Sequence, residues 1–245
     1  MAKPKRIVDT AISMLVHNRV RTTIKCLESL ERADMSRAQL YVLDNGSSDG
    51  SQHFLTYLSN TEFADVYKKR VSEENLGVNE GRRVVGEWIK EDQAKNKHLR
   101  YVVIMDSDVI VLKRDWLDNA KAYLDKHANV GVVGAAGSDI LPDFSRFVPA
   151  FRNPVHSIAG FCQVWKADVW KKLVHDPNFK KFWAEDSDAC FQAQDMGYEC
   201  HMVEIPVEHQ SGHSGYAEED GLWASNMHYL KSKWEGRGVL KWNRQ

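Results

Sequence analysis

VVIMDSDVIVL, residues 102–112, is the stretch on which the fold turns. Its apolar runs are those of a strand buried in a sheet. Asp106 and Asp108 sit where the first run breaks. A carboxylate in a packed core is costly unless it is paired, hydrogen-bonded or bound to a metal. In an extended chain residues i and i+2 point to the same side, roughly 6–7 Å apart. The two acids are therefore expected to emerge together at the strand's end. There they suit one divalent ion, or a metal on one and a hydroxyl on the other. From this stretch alone, a strand followed by an Asp-rich turn is an equal alternative.

Outward from it the first half of the chain alternates. TAISMLV (10–16), QLYVLD (39–44), VYKKRVS (66–72), RYVVIM (100–105) and VGVVGAA (130–136) read as strands. Helical spacing marks 21–32, through Ile24, Leu27 and Leu30, and 81–89, through Val84, Val85, Trp88 and Ile89. Residues 50–58 and 115–127 also read as helices, the former with Asp49 or Ser48 as its cap. Strand and helix in this alternation predict an α/β fold with a mostly parallel sheet. Such sheets bind ligands outside the carboxyl ends of their strands. Four polar strand ends collect there: His17-Asn18-Arg19, Asp44-Asn45-Gly46, Glu74-Asn75 and Asp106-Ser107-Asp108.

The second half is less regular. Residues 137–158, with Pro142, Pro149 and Pro154, are expected to form a long loop. AGFCQVWK (159–166) reads as a strand running into a helix, and 182–198 as a helix that opens on an acidic cluster and ends at Gly197. HMVEIPVEH (201–209) reads as a strand that Pro206 pushes toward an edge. The tail after Gly212 is aromatic-rich and without clear pattern. No linker or repeat divides the chain, so one domain is expected over 1–245.

The 245 residues carry 33 basic and 34 acidic side chains, which gives no overall pull toward nucleic acid. The basic ends (Lys3, Lys5 and Arg6, then KSKWEGRGVLKWNRQ) read as solvated tails. Cys26, Cys162, Cys190 and Cys200 are scattered with no CxxC, which suits reduced thiols. No signal-peptide core is present, and no apolar run approaches the roughly 20 residues of a membrane span. A cytoplasmic location is the expectation.

Several local motifs carry chemistry. LDNGSSDGS (43–51) is a turn with a helix cap, or a site where Asp44 accepts hydrogen bonds from a ribose or a base edge. In ENLGVNEGRR (74–83), Gly77 and Gly81 permit close backbone approach, and Arg82 and Arg83 suit phosphate. The order is neither GxGxxG nor that of a P-loop. Glu185, Asp186 and Asp188 fall in a helix's first turn, where acids are favoured by the dipole, and one of them suits a general base. His209 and His213 lie among Gly and Pro, which argues against a helical zinc pair. One histidine joining the Asp pair favours manganese over magnesium.

The order of these motifs resembles a family 2 glycosyltransferase with the GT-A fold. The resemblance runs from about Ile12 to His209, through HNR, VLDNGSSDGS, ENLGVNEGRR, the DSD triplet, AGFCQVWK, the AED cluster and VEH. It implies a nucleotide-binding half at about 8–112, an acceptor and catalytic half at about 113–215, and a tail at 216–245. It implies that Asn18 and Asp44 bind the nucleoside, and that Asn75 to Arg82, with Gly77, lines the nucleotide pocket. Asp106 would contact ribose or sugar beside Ser107, and Asp108 would hold Mn²⁺ or Mg²⁺. His209 would complete the metal and diphosphate site, and Asp186 would be the base.

The activity so implied is metal-dependent transfer of a hexose or pentose from a nucleotide diphosphate, UDP favoured, to an acceptor hydroxyl with inversion. The acceptor stays open among a glycan, a lipid-linked group, a protein and DNA or a modified base. A nucleotidyltransferase is weakened by the lack of an N-terminal Gly-rich, Arg/Lys-bearing loop. A non-catalytic sugar- or nucleotide-binding module is weakened by the intact acids and histidine. Phe144, Phe147, Phe151, Trp165, Trp183 and Trp223 are core residues or a stacking wall for a sugar or base.

Overall fold

Apolar residues at every position of a strand require cover on both faces of its sheet, and the chain provides it. The computed structural model describes residues 6–210 and 220–240. In its first half run β1 (Thr10–Val16), α1 (Val20–Glu31), β2 (Ala38–Asn45), α2 (Ser51–Leu58), β3 (Tyr67–Ser72), α3 (Gly77–Asp92) and β4 (Tyr101–Asp106). Then come β5 (Val109–Val111), α4 (Asp118–Lys126) and β6 (Val130–Gly134). The second half holds β7 (Gly137–Ile140), β8 (Phe147–Pro149), β9 (Ser157–Ile158), β10 (Cys162–Lys166), α5 (Ala167–Trp170) and α6 (Glu185–Asp195). It closes with β11 (Glu199–Met202), β12 (Val207–His209) and α7 (Asp220–Trp234).

The central sheet has seven strands in the order β11-β6-β10-β4-β1-β2-β3. Its pairs are parallel except where β10 runs antiparallel to β4 and β6. Alternate strand residues feed two cores. Ile12, Met14, Val42, Val103 and Met105 pack with α1, α2 and α4, including Leu27, Leu30, Leu55 and Leu124. Ala11, Tyr41, Leu43, Val102 and Ile104 pack on the other face with α3, α6 and α7, including Val85, Ile89, Phe191 and Leu230. The chain leaves β1 toward β2 on one side and returns to β4 on the other. The crevice beyond the ends of β1 and β4 is thus a topological switch point.

The second half departs from its sequence reading in three places. The expected loop at 137–158 contains a three-stranded sheet, β8-β7-β9. The expected strand 201–209 is two strands. β11 joins the central sheet, and β12 pairs with β5 to place His209 opposite Val109. Pro206 lies between them, and its carbonyl accepts from Leu112 N at 2.9 Å. The tail without pattern includes α7, whose apolar side covers α6 and its approach. Trp234 and Leu230 are 3% and 0% exposed.

The four cysteines are buried. Phe144 and Trp165 are core, whereas Phe151, Trp183 and Trp223 are exposed. Among the described residues no helix is long and apolar enough to cross a membrane.

Candidate active site

The four polar strand ends meet. His17 Nδ1 lies 2.9 Å from Asn45 O, and Asn18 Oδ1 accepts from Ser48 N at 2.8 Å. Asn45 Nδ2 donates to Asn75 Oδ1 and to Gly77 O, both at 3.1 Å, while Asn45 Oδ1 accepts from Leu76 N. Asp49 does more than its position suggests. It bonds Ser51 at the start of α2, and its Oδ2 also accepts Val20 N of α1 at 2.7 Å. Two loops that are remote in sequence are thereby pinned by one carboxylate. Asp44 is fully buried, and its Oδ1 accepts Ser47 N at 2.8 Å. Its Oδ2 is buried with no hydrogen-bond partner among the described residues. An unused carboxylate oxygen is costly in such a place.

β4 ends at Asp106, the chain turns through Ser107 and Asp108, and β5 begins. Asp108 Oδ1 faces His209 Nε2 at 3.2 Å, and Oδ2 faces Arg19 Nη1 at 3.1 Å. Burial alone would raise the Asp108 pKa. The hydrogen bond and charge of His209, then the charge of Arg19, outweigh it and hold the group below the usual carboxylate range. His209 is raised in turn, chiefly by its bond to Asp108. Its ring stacks on Phe161, with centroids 4.6 Å apart and planes 7° from parallel. One ligand atom each from Asp106, Asp108 and His209 lies within 4.8 Å of the others. Two carboxylates and an imidazole are a fitting donor set for a divalent cation of the Mn²⁺ type. His213, the alternative ligand, lies outside the described residues.

Arg82 closes the back of the crevice. Its side chain is 10% exposed and reaches Asp106 Oδ1 at 3.2 Å, Gly160 O at 3.1 Å and Glu185 Oε1 at 3.0 Å. It is therefore committed to protein partners. Arg83 pairs with Glu80 on the flank of α3. The N-terminal amides of α3 are also taken: Lys181 O accepts Val78 N at 2.5 Å and Asn79 N at 3.0 Å. Gly77 is needed for this approach. Its φ is +78°, and a Cβ there would stand 2.7 Å from Lys181 Cα.

The acidic cluster divides by role. Asp186 Oδ2 accepts Gly160 N at 2.9 Å, and Oδ1 accepts Ser187 N at 2.7 Å. Glu185 turns inward to Arg82. Burial pushes its pKa up to about 7 against the pull of that guanidinium. Asp188 is structural: Trp234 Nε1 donates to it at 2.6 Å and Lys233 Nζ lies 2.9 Å away. The Gly160 backbone thus links Asp186 to Arg82, and Arg82 bonds Asp106 directly.

Sequence reasoning missed Asn226, which is 1% exposed on α7. Its Nδ2 donates to the carbonyls of Lys180, Phe182 and Trp183, and its Oδ1 accepts Lys180 N. It holds the strap just before Glu185, where Lys181, Trp183 and Ala184 have positive φ. The run of contacts is long-range, so no local pattern could have announced it.

Residues 11–163 match the family described as glycosyl transferase family 2. The chain belongs to that family. No curated protein matches this family 2 chain by sequence. Among solved structures it is similar to the mannosyltransferase PcManGT from Pyrobaculum calidifontis, in complex with GDP-Man and Mn²⁺. That match has 19% identity and a TM-score of 0.60, and covers 82% of this chain and 58% of that one. It is similar to GalNAc-T7 with UDP, GalNAc and Mn²⁺ at 13% identity and a TM-score of 0.64, over 84% of this chain and 44% of that one. S. aureus TarS 1-349 matches at 15% identity and a TM-score of 0.60, over 94% of this chain and 74% of that one. The family 2 chain thus spans about half the length of the first two, and these likenesses establish the GT-A fold.

Proposed function

We propose that this chain is an inverting, metal-dependent glycosyltransferase that moves a sugar from a nucleotide diphosphate to an acceptor hydroxyl. The observation that carries the reading is the meeting of Asp106, Asp108 and His209 at the switch point, on the far side of Arg82 from the acidic pair at the start of α6. Among the similar structures, GalNAc-T7 is with UDP, GalNAc and Mn²⁺, S. aureus TarS 1-349 is in complex with UDP-GlcNAc or UDP, and PcManGT is in complex with GDP-Man and Mn²⁺. UDP is the donor nucleotide we favour. The segments up to β5 would be the nucleotide half, and those after it the acceptor half.

Asp44 and Asn18 would bind the nucleoside. Asn75 and Gly77 would form the rim of that pocket through their bonds to Asn45. Asp106 would orient the ribose or sugar, with Ser107 at the turn. Asp108 and His209 would hold the cation, which supplies Lewis-acid stabilisation of the departing diphosphate. Asp186, oriented by two backbone N–H groups, would take the proton of the acceptor hydroxyl. The acceptor oxygen then bonds to the anomeric carbon as the carbon–oxygen bond to the diphosphate breaks. A single displacement of this kind inverts the anomeric centre.

Asp186→Asn tests the assignment. Transfer should fall at least 100-fold, within the range ascribed to a lost general base, about 10²–10⁴. Calorimetric binding of UDP with Mn²⁺ should stay within about 2-fold of wild type, since a base contributes to the chemical step and little to ground-state donor binding. Near-normal transfer by the variant would remove Asp186 from the role.

A further inference from the structure

Arg19, at the HNR strand end, has no part in the proposed chemistry. It has φ +59° and follows Asn18 at +55°, two left-handed non-glycine residues in a row. Such strain persists where surrounding contacts enforce it. Here Ser47 and Ser48 hold Asn18, and Asp49 holds Val20. The turn sends the guanidinium to Asp108, 89 residues away, where Nη1 meets Oδ2 at 3.1 Å. The side chain is 45% exposed, and this is its single hydrogen bond among the described residues.

A cation that takes Asp108 Oδ2 must displace that guanidinium, and the two positive charges then repel. Asp108's other oxygen already faces His209, and Asp106 is engaged by Arg82. The nearby acids thus have partners of their own. A diphosphate bound at the cation is the next anion within the crevice, and a guanidinium matches phosphate oxygens in a forked geometry.

We propose that Arg19 is an exchanging residue: it occupies Asp108 until a divalent cation binds, then turns to the diphosphate. The proposal rests on the metal-site reading above. It makes Arg19 a competitor of the metal and a partner of the nucleotide, so one substitution should move two affinities in opposite directions.

The test uses the whole chain. Mn²⁺ binding is followed by the electron-spin resonance of the free ion, and UDP, GDP and pyrophosphate binding by calorimetry in saturating Mn²⁺. Arg19→Gln should bind Mn²⁺ about 2- to 5-fold more tightly, the scale of an exposed ion pair. It should bind the diphosphates about 10-fold more weakly, the scale of a charge-assisted bond. Arg19→Asn, a residue at ease in left-handed backbone, should behave alike and separates charge from strain. Mn²⁺ affinity that does not rise, or diphosphate affinity that does not fall, overturns the exchange. Wild-type protein that binds no Mn²⁺, or an Asp108→Ala variant that binds it equally well, sinks the metal site and the exchange together.

Discussion

Gly46 and Gly50 flank the same turn, and the space around them differs. Both have positive φ, +74° and +95°. A Cβ on Gly46 would lie 2.5 Å from the Glu74 carbonyl carbon and 2.7 Å from Asn75 N, whereas one on Gly50 would meet nothing within 4 Å. Gly50→Ala should therefore cost only left-handed strain, roughly 1–2 kcal/mol. Gly46→Ala adds a backbone collision and should cost about 3 kcal/mol or more, since main chain cannot step aside as a side-chain tip can. Urea unfolding of the two variants checks the order, and equal losses would mean that the 74–75 loop yields easily. The residue types of this turn were legible in LDNGSSDGS. That the turn is pressed against ENLG was not, because the contact joins two loops about 30 residues apart.

At the scale of elements, α7 and the strap before α6 form one assembly. Asn226 grips the strap's backbone, and Lys233 bridges Asp176 and Asp188. The two acids respond differently. Burial dominates at Asp188 and raises its pKa despite Lys233. At Asp176 burial also pushes upward, but hydrogen bonds from Lys233, Asn178 N and Tyr229 win and hold it at about 2.

A carboxyl with a depressed native pKa contributes stability above its unfolded value, which is lost as pH falls through the native one. Asp176 should thus stabilise the fold fully above about pH 4 and lose that contribution toward pH 2. Its size is on the order of 2 kcal/mol. Asp176→Asn should show a correspondingly lower urea midpoint at pH 7 and a shallower decline between pH 4 and 2. A variant with the wild-type acid profile would remove Asp176 from the latch.

For the whole molecule, the parallel sheet brings Asp44, Asp106 and the start of α6 to one crevice, and ligand binding there should stabilise the entire fold. At a free concentration 100 times Kd, a ligand specific to the native state adds about 2.7 kcal/mol. For a chain of this size that is roughly 5–10 °C in melting temperature. Mn²⁺ with UDP should raise the melting temperature by that amount, a chelator should reverse it, and Asp108→Ala should abolish it. A shift that survives in Asp108→Ala would place the ligand elsewhere.

Hydrophobic runs and their spacing determined the α/β order, the strands of the first half, and the delivery of Asp106 and Asp108 to a strand end. These are local consequences of burial on two faces and of the two-residue strand period. Motif order carried the family likeness. What only the tertiary structure decided were the meetings across long separations. They are His209 with Asp108, Arg82 with Glu185, Arg19 with Asp108, and Asn226 with the strap. The β7–β9 sheet belongs with them, since such short strands are stabilised by their partners more than by their own pattern. A sequence sets the period of each element; which side chains of distant elements share a charge or a hydrogen bond is settled by how the elements pack.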